Sequence, residues 1–277
     1  MSTPLTVQVP AARELRGRPR SPLQRFWRQR RGLLVSVASI LGGMVVWQLV
    51  AQFIIHDKLF LVAPTEIFAR AQTLLATGEL QKHTWTSTLE FLIGFAMAVV
   101  VGITFGLLIG TNKVLRAVSM PWISAMNSTP TVALAPLLIL WFKLGIESKV
   151  VVVFIVSVFS VLVNTQAGIE SADERLVETA RAFGAKRLQI FTKVLLPSAV
   201  PFIIAGLRLG VGRGLVGVVV AELFGATSGL GYLINVSSQI FDMAGLFAAV
   251  VILAAAGVIS TELIRMAERR MAPWREQ

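Results

Sequence analysis

Six long apolar runs constrain this chain more than any motif does: residues 32–55, 88–110, 120–142, 150–169, 202–224 and 246–264. A helix needs about 20 apolar residues to cross a bilayer, so each run predicts a transmembrane helix. Composition agrees. Of 277 residues 55% are apolar and 15% charged, with mean hydropathy +0.73; a soluble domain carries about 25% charged residues. The expected fold class is all-α, a polytopic membrane protein of six transmembrane helices over 32–264. Residues 1–31, rich in Arg and Pro and without periodicity, are expected to form an unstructured basic tail, and 265–277 a second tail.

Lysine and arginine set the expected orientation, because cytoplasmic loops carry the basic excess. Arg13, Arg16, Arg18, Arg20, Arg25, Arg28, Arg30 and Arg31 precede the first run. Lys113 and Arg116 lie in the second connection, and Arg175, Arg181, Lys186, Arg187 and Lys193 in the fourth. With Arg265, Arg269, Arg270 and Arg275 after the last run, nineteen fall on one side. Lys58, Arg70, Lys82, Lys143 and Lys149 make five on the other. Both termini are therefore expected in the cytoplasm. The net charge of +11 follows from this clustering beside anionic lipid, so membrane lipid is an expected partner and nucleic acid is not. The basic start and the run behind it are both too long for a cleaved signal. The absence of cysteine excludes disulfides and thiol chemistry.

The fourth connection, 170–201, is patterned rather than merely polar. Ser171 with Glu174 three residues later reads as a capping box opening a helix. Leu176, Ala180 and Phe183 then share one face, with Arg175, Glu178 and Arg181 on others. Gly184 suits a helix C-terminus, where a left-handed backbone is needed. A second amphipathic turn follows with Leu188, Phe191 and Leu195 on one side, and Pro197 and Pro201 are expected to stop it and restart the chain. Two short helices joined at a glycine make a docking surface without chemistry of its own.

This segment resembles the cytoplasmic loop of the permease subunits of bacterial ABC importers. Their pattern is E-A-A, three residues, Gly, nine residues, a β-branched residue, one residue and L-P. Glu178, Thr179, Ala180, Gly184, Val194, Leu196 and Pro197 stand at that spacing, with departures at Thr179 and, mildly, Val194. The continuation P-F-I-I-A-G-L-R-L-G and the later A-E-L-F-G-A-T-S-G-L-G-Y-L are similar to the branch that imports sulfonates, taurine, nitrate and pyrimidine-like compounds. The resemblance runs from about Pro64 to the last apolar run. It implies a type I importer permease in the bacterial inner membrane, working as a homodimer around a shared pathway. It also implies two copies of an ABC ATPase inside and a soluble solute-binding protein outside. Glu178, Thr179, Ala180, Arg181, Gly184 and Pro197 would then couple the chain to its ATPase.

Other constellations lie within the apolar runs. The third contains Pro121, Pro130 and Pro136, with Asn127, Ser128 and Thr129 before Pro130. Prolines free helix carbonyls, and broken helices commonly line substrate paths; a kinked packing helix is the plainer reading. The fifth run has Gly206, Gly210 and Gly214 on one face, which allows close helix packing, within the chain or across a dimer. Gly212, Gly214 and Gly217 spell G-x-G-x-x-G by coincidence, since no βαβ unit surrounds them. Intramembrane charges suggest function. Arg208 is near enough to the cytoplasmic face to snorkel. Arg213, deeper, is expected to face a polar cavity or a carboxylate. Glu222 would cap or pair near the outer end. The pathway candidates are therefore Asn127, Thr129, Pro130, Pro136, Arg213 and Glu222. Glu90, Asn164 and Gln166 are expected to be structural. His56 and His83 look isolated, without the ligand set of a metal site. In the fifth connection, 225–245 is glycine- and serine-rich and is expected to be a re-entrant or interfacial turn. In the first, Thr65 is expected to cap an amphipathic helix to about Thr77.

No G-x-x-x-x-G-K-[S/T] occurs, so no phosphate-binding loop is present. The chain is not expected to be an enzyme or to bind a cofactor; ATP and Mg would be used by the partner ATPase. Two other classes stay open at this level. An ion-gradient carrier should show carboxylates or histidines deep in its spans, and the runs hold almost none. A membrane scaffold recruiting a cytosolic partner would share the docking loop.

Overall fold

The computed structural model describes residues 22–55 and 59–271. It divides into two units, Met1–His56 and Asp57–Gln277. In the first, α1 (Pro22–Leu49) runs into a π-turn at Val50–Ile54, and Val35–Ile54 is long and apolar enough to cross a membrane. Helix α1 starts ten residues ahead of the expected boundary at residue 32. Proline is favoured at the first helical position, and the arginines and glutamines after it are good helix formers. The expected tail thus loses 22–31 to a helix, while 1–21 lie outside the described residues, as do His56 and Lys58.

The second unit contains α2 (Pro64–Ala76), α3 (Glu79–Thr111), α4 (Lys113–Ser128), α5 (Ala135–Phe142), α6 (Ile146–Glu170), α7 (Glu174–Ala182), α8 (Arg187–Ile190), α9 (Leu196–Leu223), α10 (Leu230–Gln239) and α11 (Met243–Met271). Its centre is α6. More than half of that helix's apolar window, 56%, is buried, against 28% in α3 and 17% in α11. Glycine explains how neighbours reach it. On α3, Gly94, Gly102, Gly106 and Gly110 recur at four- or eight-residue spacing and form one stripe, continued by the fully buried Ala98. A Cβ added at Gly106 would lie 2.6 Å from the Thr165 Cβ, and one at Gly102 2.8 Å from the Val161 Cβ. Gly94 meets Val153 and Gly110 meets Ile169, so α3 and α6 run parallel.

From the other side, α9 brings Gly206 against Asn164, Gly210 against Val161 and Ser157, and Gly214 against Ser157. It therefore runs antiparallel to α6. The glycine face of the fifth run packs within the chain rather than across a dimer. Gly168 of α6 returns the close approach to Ala199 and Phe202. Ser157 Oγ donates to the Gly210 carbonyl at 3.2 Å, a bond that the small residues bring within range. These three helices give the unit two ends: the α7 end, where α3 and α6 finish, and the α10 end, where they begin.

The third apolar run is broken. Helices α4 and α5 meet at 80° around Thr129 (φ −72°, ψ 135°) and Pro130, with a 3₁₀ turn at Thr131–Leu134. Proline drives the preceding residue into extended backbone, which ends α4 where Pro121, inside it, does not. The described residues thus hold five candidate spans, or six with the bent pair counted as one. Segment 225–245 is a turn followed by the ten-residue α10. Thr65 is not a cap: α2 starts at Pro64, with Ala63 as N-cap, because proline takes the first helical position.

Gly106→Leu should force α3 and α6 apart and lower stability by roughly 1–3 kcal/mol, the usual cost of overpacking. Gly212→Leu, where an added Cβ meets nothing within 4 Å, should leave thermal unfolding of the purified chain in nanodiscs almost unchanged.

Candidate functional site

The α7 end carries the docking loop. Ser171 does not open it, because its hydroxyl donates to the Gly168 carbonyl at 2.9 Å and closes α6. The cap is Asp173, whose Oδ1 accepts from the Arg175 N–H at 2.9 Å and whose carboxylate suits a helix N-terminus. At the other end Gly184 has φ +77°. Its N–H donates to the Arg181 carbonyl at 2.9 Å and that of Ala185 to the Ala180 carbonyl at 3.0 Å, the paired bonds of a Schellman motif. The left-handed glycine anticipated from sequence is present.

No residue of α7 is buried. Phe183 is 88% exposed, Leu188 72% and Leu176 55%. Ala180, Phe183, Gly184, Gln189 and Lys193 line a depression of about 270 Å³. Glu178 and Arg181 line a second, about 370 Å³, with Lys113, Arg116 and Glu170. There Arg116 pairs with Glu170 at 2.7 Å and donates to the Gly110 carbonyl at 2.6 Å. Gln166 donates to the same Glu170 at 2.8 Å, and Asn164 to the Ser160 carbonyl at 2.7 Å, so both amides serve their own helix. Thr179 Oγ1 donates to the Arg175 carbonyl at 2.7 Å.

The second half of the docking loop is not a separate helix. From Arg187 the chain is helical through Leu223, passing a π-turn at Phe191–Leu195. Pro197 enters at the start of α9 and Pro201 lies inside it. Each proline removes one hydrogen bond. Packing of Ala199 and Phe202 against Gly168 keeps the segment helical despite them.

Midway between the ends, a cavity of about 490 Å³ opens between the α4–α5 break and α9. Asn127, Thr129, Pro130, Thr131, Arg208 and Arg213 are among its lining residues. Of the two expected surroundings, a polar cavity or a carboxylate, Arg213 meets the first: its Nη1 donates to Asn127 Oδ1 at 3.0 Å. Arg208 reaches Glu268 of α11 at 3.0 Å. Four of the six pathway candidates therefore share one cavity. Pro136 does not line it and opens α5 instead. Glu222 lies elsewhere, at the α10 end.

Glu222 is 1% exposed and accepts from Ser87 Oγ and from the Gly231 N–H, both at 2.5 Å. The Leu230 N–H donates to Ser87 Oγ at 2.7 Å, and the Gly229 N–H to His83 Nδ1 at 3.0 Å. Three successive amides at the start of α10 are thus held by side chains of α3 and α9. Glycine is required at 231, where a Cβ would lie 2.6 Å from the Val219 carbonyl. Beside this latch Glu90 pairs with Lys149 of α6 at 3.1 Å. His83, isolated in sequence, is an integral part of it. Arg70 and Asp242, 2.7 Å apart, tie α2 to the junction before α11.

Residues 98–273 match the family described as "Binding-protein-dependent transport system inner membrane component". This chain belongs to that family. It is 33% identical over 245 residues to SsuC of Bacillus subtilis (strain 168), a permease protein named for the transport of aliphatic sulfonates, covering 88% of this chain and 87% of that one. It is 33% identical over 235 residues to the formylaminopyrimidine transport permease protein ThiX of Halalkalibacterium halodurans, covering 84% and 93%. A structure of the methionine ABC transporter MetNI, inward facing, superposes with a TM-score of 0.57 at 21% identity, covering 70% of this chain and 94% of that one; it shows the fold alone. The chain is thus an ABC importer permease, similar to permeases named for sulfonate and pyrimidine transport; it is a multi-pass membrane protein of type I importer fold, and its family works with ATPase and binding-protein partners.

Ser87→Ala should leave both the Leu230 amide and a Glu222 oxygen without a partner. A loss of about 1–3 kcal/mol for each such buried group is expected, read as a lower unfolding temperature and faster amide exchange at 229–231.

Proposed function

We propose that this permease passes a small organic anion, such as a sulfonate, or nitrate, delivered by an external solute-binding protein. Two copies form the pathway, each contacting one of two ATPase subunits through α7. The observation that carries this reading is a helix with no buried residue that exposes Phe183 beside a depression formed at Gly184. An exposed apolar patch on a polar loop marks a surface made for another protein. Glu178 and Arg181 add charged contacts at its margin, while Ala180 and Gly184 keep it shallow. In this reading the ATPases close on ATP and Mg and push α7; the turn at 183–186 hands the push to the helix that is continuous from Arg187 to Leu223 and includes α9.

The basic excess puts the α7 end and both termini in the cytoplasm, and α2 and α10 outside, where the binding protein docks. Arg213 supports an anionic cargo. Its guanidinium borders a cavity, with one amide as hydrogen-bond partner in it, so N–H donors and charge remain for a sulfonate or nitrate oxygen. The sulfonate name carried by SsuC agrees.

ATP hydrolysis in proteoliposomes containing the permease, its ATPase and loaded binding protein tests the assignment. Gly184→Arg should give a folded membrane protein that no longer retains the ATPase on co-purification; normal recovery of the complex would remove α7 as the docking element. Arg213→Gln should cut anion uptake about tenfold, the scale of one charge-assisted hydrogen bond, with ATPase retention unchanged. Equal uptake by the variant would take Arg213 out of the pathway.

A further inference from the structure

The glycines of α9 have two different uses. Gly206, Gly210 and Gly214 form the face that packs on α6, where an added Cβ would lie within 3.2 Å of Asn164, Phe95 or Ser157. Gly212 packs on nothing. A Cβ there meets no atom within 4 Å, and the residue lines the cavity of about 490 Å³ at the α4–α5 break. Glycine weakens a helix relative to alanine, so what it contributes at 212 is room, and that room belongs to the cavity.

Leu209, Gly212, Arg213 and Val216 fall at i, i+3, i+4 and i+7, which makes them one face of α9, and all four line the cavity. Leu209 is 49% exposed and Val216 54%. Exposed aliphatic side chains are ordinary against lipid, but these two share their space with the guanidinium groups of Arg208 and Arg213, which hydrocarbon tails do not solvate. Val132, after the break, and Val156 of α6 complete the apolar lining. Charge is more sparing. Arg208 is paired with Glu268 at 3.0 Å, whereas Arg213 meets the Asn127 amide at 3.0 Å. Among the described residues, Arg213 thus presents a charge met by an amide rather than a carboxylate, with an aliphatic residue one turn before it and another one turn after. Nitrate could use the guanidinium but not the aliphatic walls. The volume is in the range of sites for small organic molecules, about 300–1,000 Å³.

We infer that the cavity takes an anion carrying a carbon chain, its head on Arg213 and its chain on Leu209, Val216, Val132 and Val156, and that Gly212 sets how long a chain fits. The inference rests on the reading of Arg213 as the anion site and narrows it to organic anions. Part of the selectivity then resides in the permease itself, beside whatever the solute-binding protein imposes. A side chain at 212 would fill the room that the carbon chain occupies and leave the α6 contacts alone.

Isothermal titration calorimetry of the purified full-length chain in lipid nanodiscs, without binding protein, tests this with nitrate, methane-, propane- and pentanesulfonate, and 1-pentanol. In the wild type, affinity should rise with chain length by up to about fourfold per methylene, the value for full burial, and nitrate should bind more weakly than pentanesulfonate. Gly212→Leu should lower the ratio of pentane- to methanesulfonate affinity about tenfold, the effect of uncovering one or two methylenes. Arg213→Gln should weaken all three sulfonates about tenfold and keep that ratio. Equal affinity across the wild-type sulfonates, or nitrate binding as tightly as pentanesulfonate, overturns the inference whether or not the variants fold; the anion reading stands without it if Arg213→Gln still weakens every anion. A ratio untouched by Gly212→Leu overturns the role of Gly212. If 1-pentanol binds as tightly as pentanesulfonate and Arg213→Gln changes nothing, the apolar walls are upheld and the anionic head is overturned, together with the reading it rests on. No saturable binding of any of the five overturns the site altogether.

Discussion

In lipid, helices gain little from burying apolar surface against one another, because the tails outside are equally apolar. What holds them is contact made possible by close approach. Here α6 is gripped by two glycine faces, Gly94 to Gly110 of α3 and Gly206 to Gly214 of α9, and it answers with Gly168. The remaining architecture depends on that grip. It makes α3 and α6 parallel and α9 antiparallel, so the Arg116–Glu170 groove gathers at one end and the Glu222 cluster at the other. It also directs the opposite face of α9, with Leu209, Gly212, Arg213 and Val216, toward the α4–α5 break.

The two ends differ in how polar groups are handled. At the α10 end polar atoms are buried and matched to specific partners, down to three consecutive backbone amides. At the α7 end they are exposed, and the apolar residues among them are left uncovered. Buried matched groups fix geometry, whereas exposed apolar groups on a capped helix are free to meet a second protein. The charged pairs follow the same division. Lys149–Glu90 is closed off from solvent, while Arg208–Glu268 is 46% and 22% exposed in its two side chains and contributes little by comparison.

Much of the architecture was legible in the chain. The apolar runs mark the spans because hydropathy is a property of a contiguous segment, and Gly184 marks a left-handed helix end because few other residues adopt that backbone. Local pattern misleads where a residue has two local uses. Ser171 fits the opening of α7 but closes α6, and Thr65 fits a cap although Pro64 already starts the helix. Pro197 and Pro201 fit a helix end, but packing on Gly168 carries the helix through. The four-residue period of Gly94, Gly102, Gly106 and Gly110 is the signal in the sequence for the α3 stripe. Asn127, Thr129, Pro130 and Arg213 each stand out locally, yet their meeting in one cavity depends on the 80° bend at Pro130, which no local pattern specifies.

The sequence by itself determined that this chain spans a membrane with helices, which end of each span is basic, and which loop carries the docking pattern. These follow from composition and period within single segments. The tertiary structure alone decided which charges meet. His83, Ser87, Glu90, Lys149 and Glu222 come from three helices; in the sequence His83 reads as an isolated histidine, Glu90 and Glu222 as span-end carboxylates and Lys149 as an external lysine, and nothing marks Ser87. Only when α3, α6 and α9 close on their glycines do the five share a space without water, and there their partners, rather than their identities, fix what each one does.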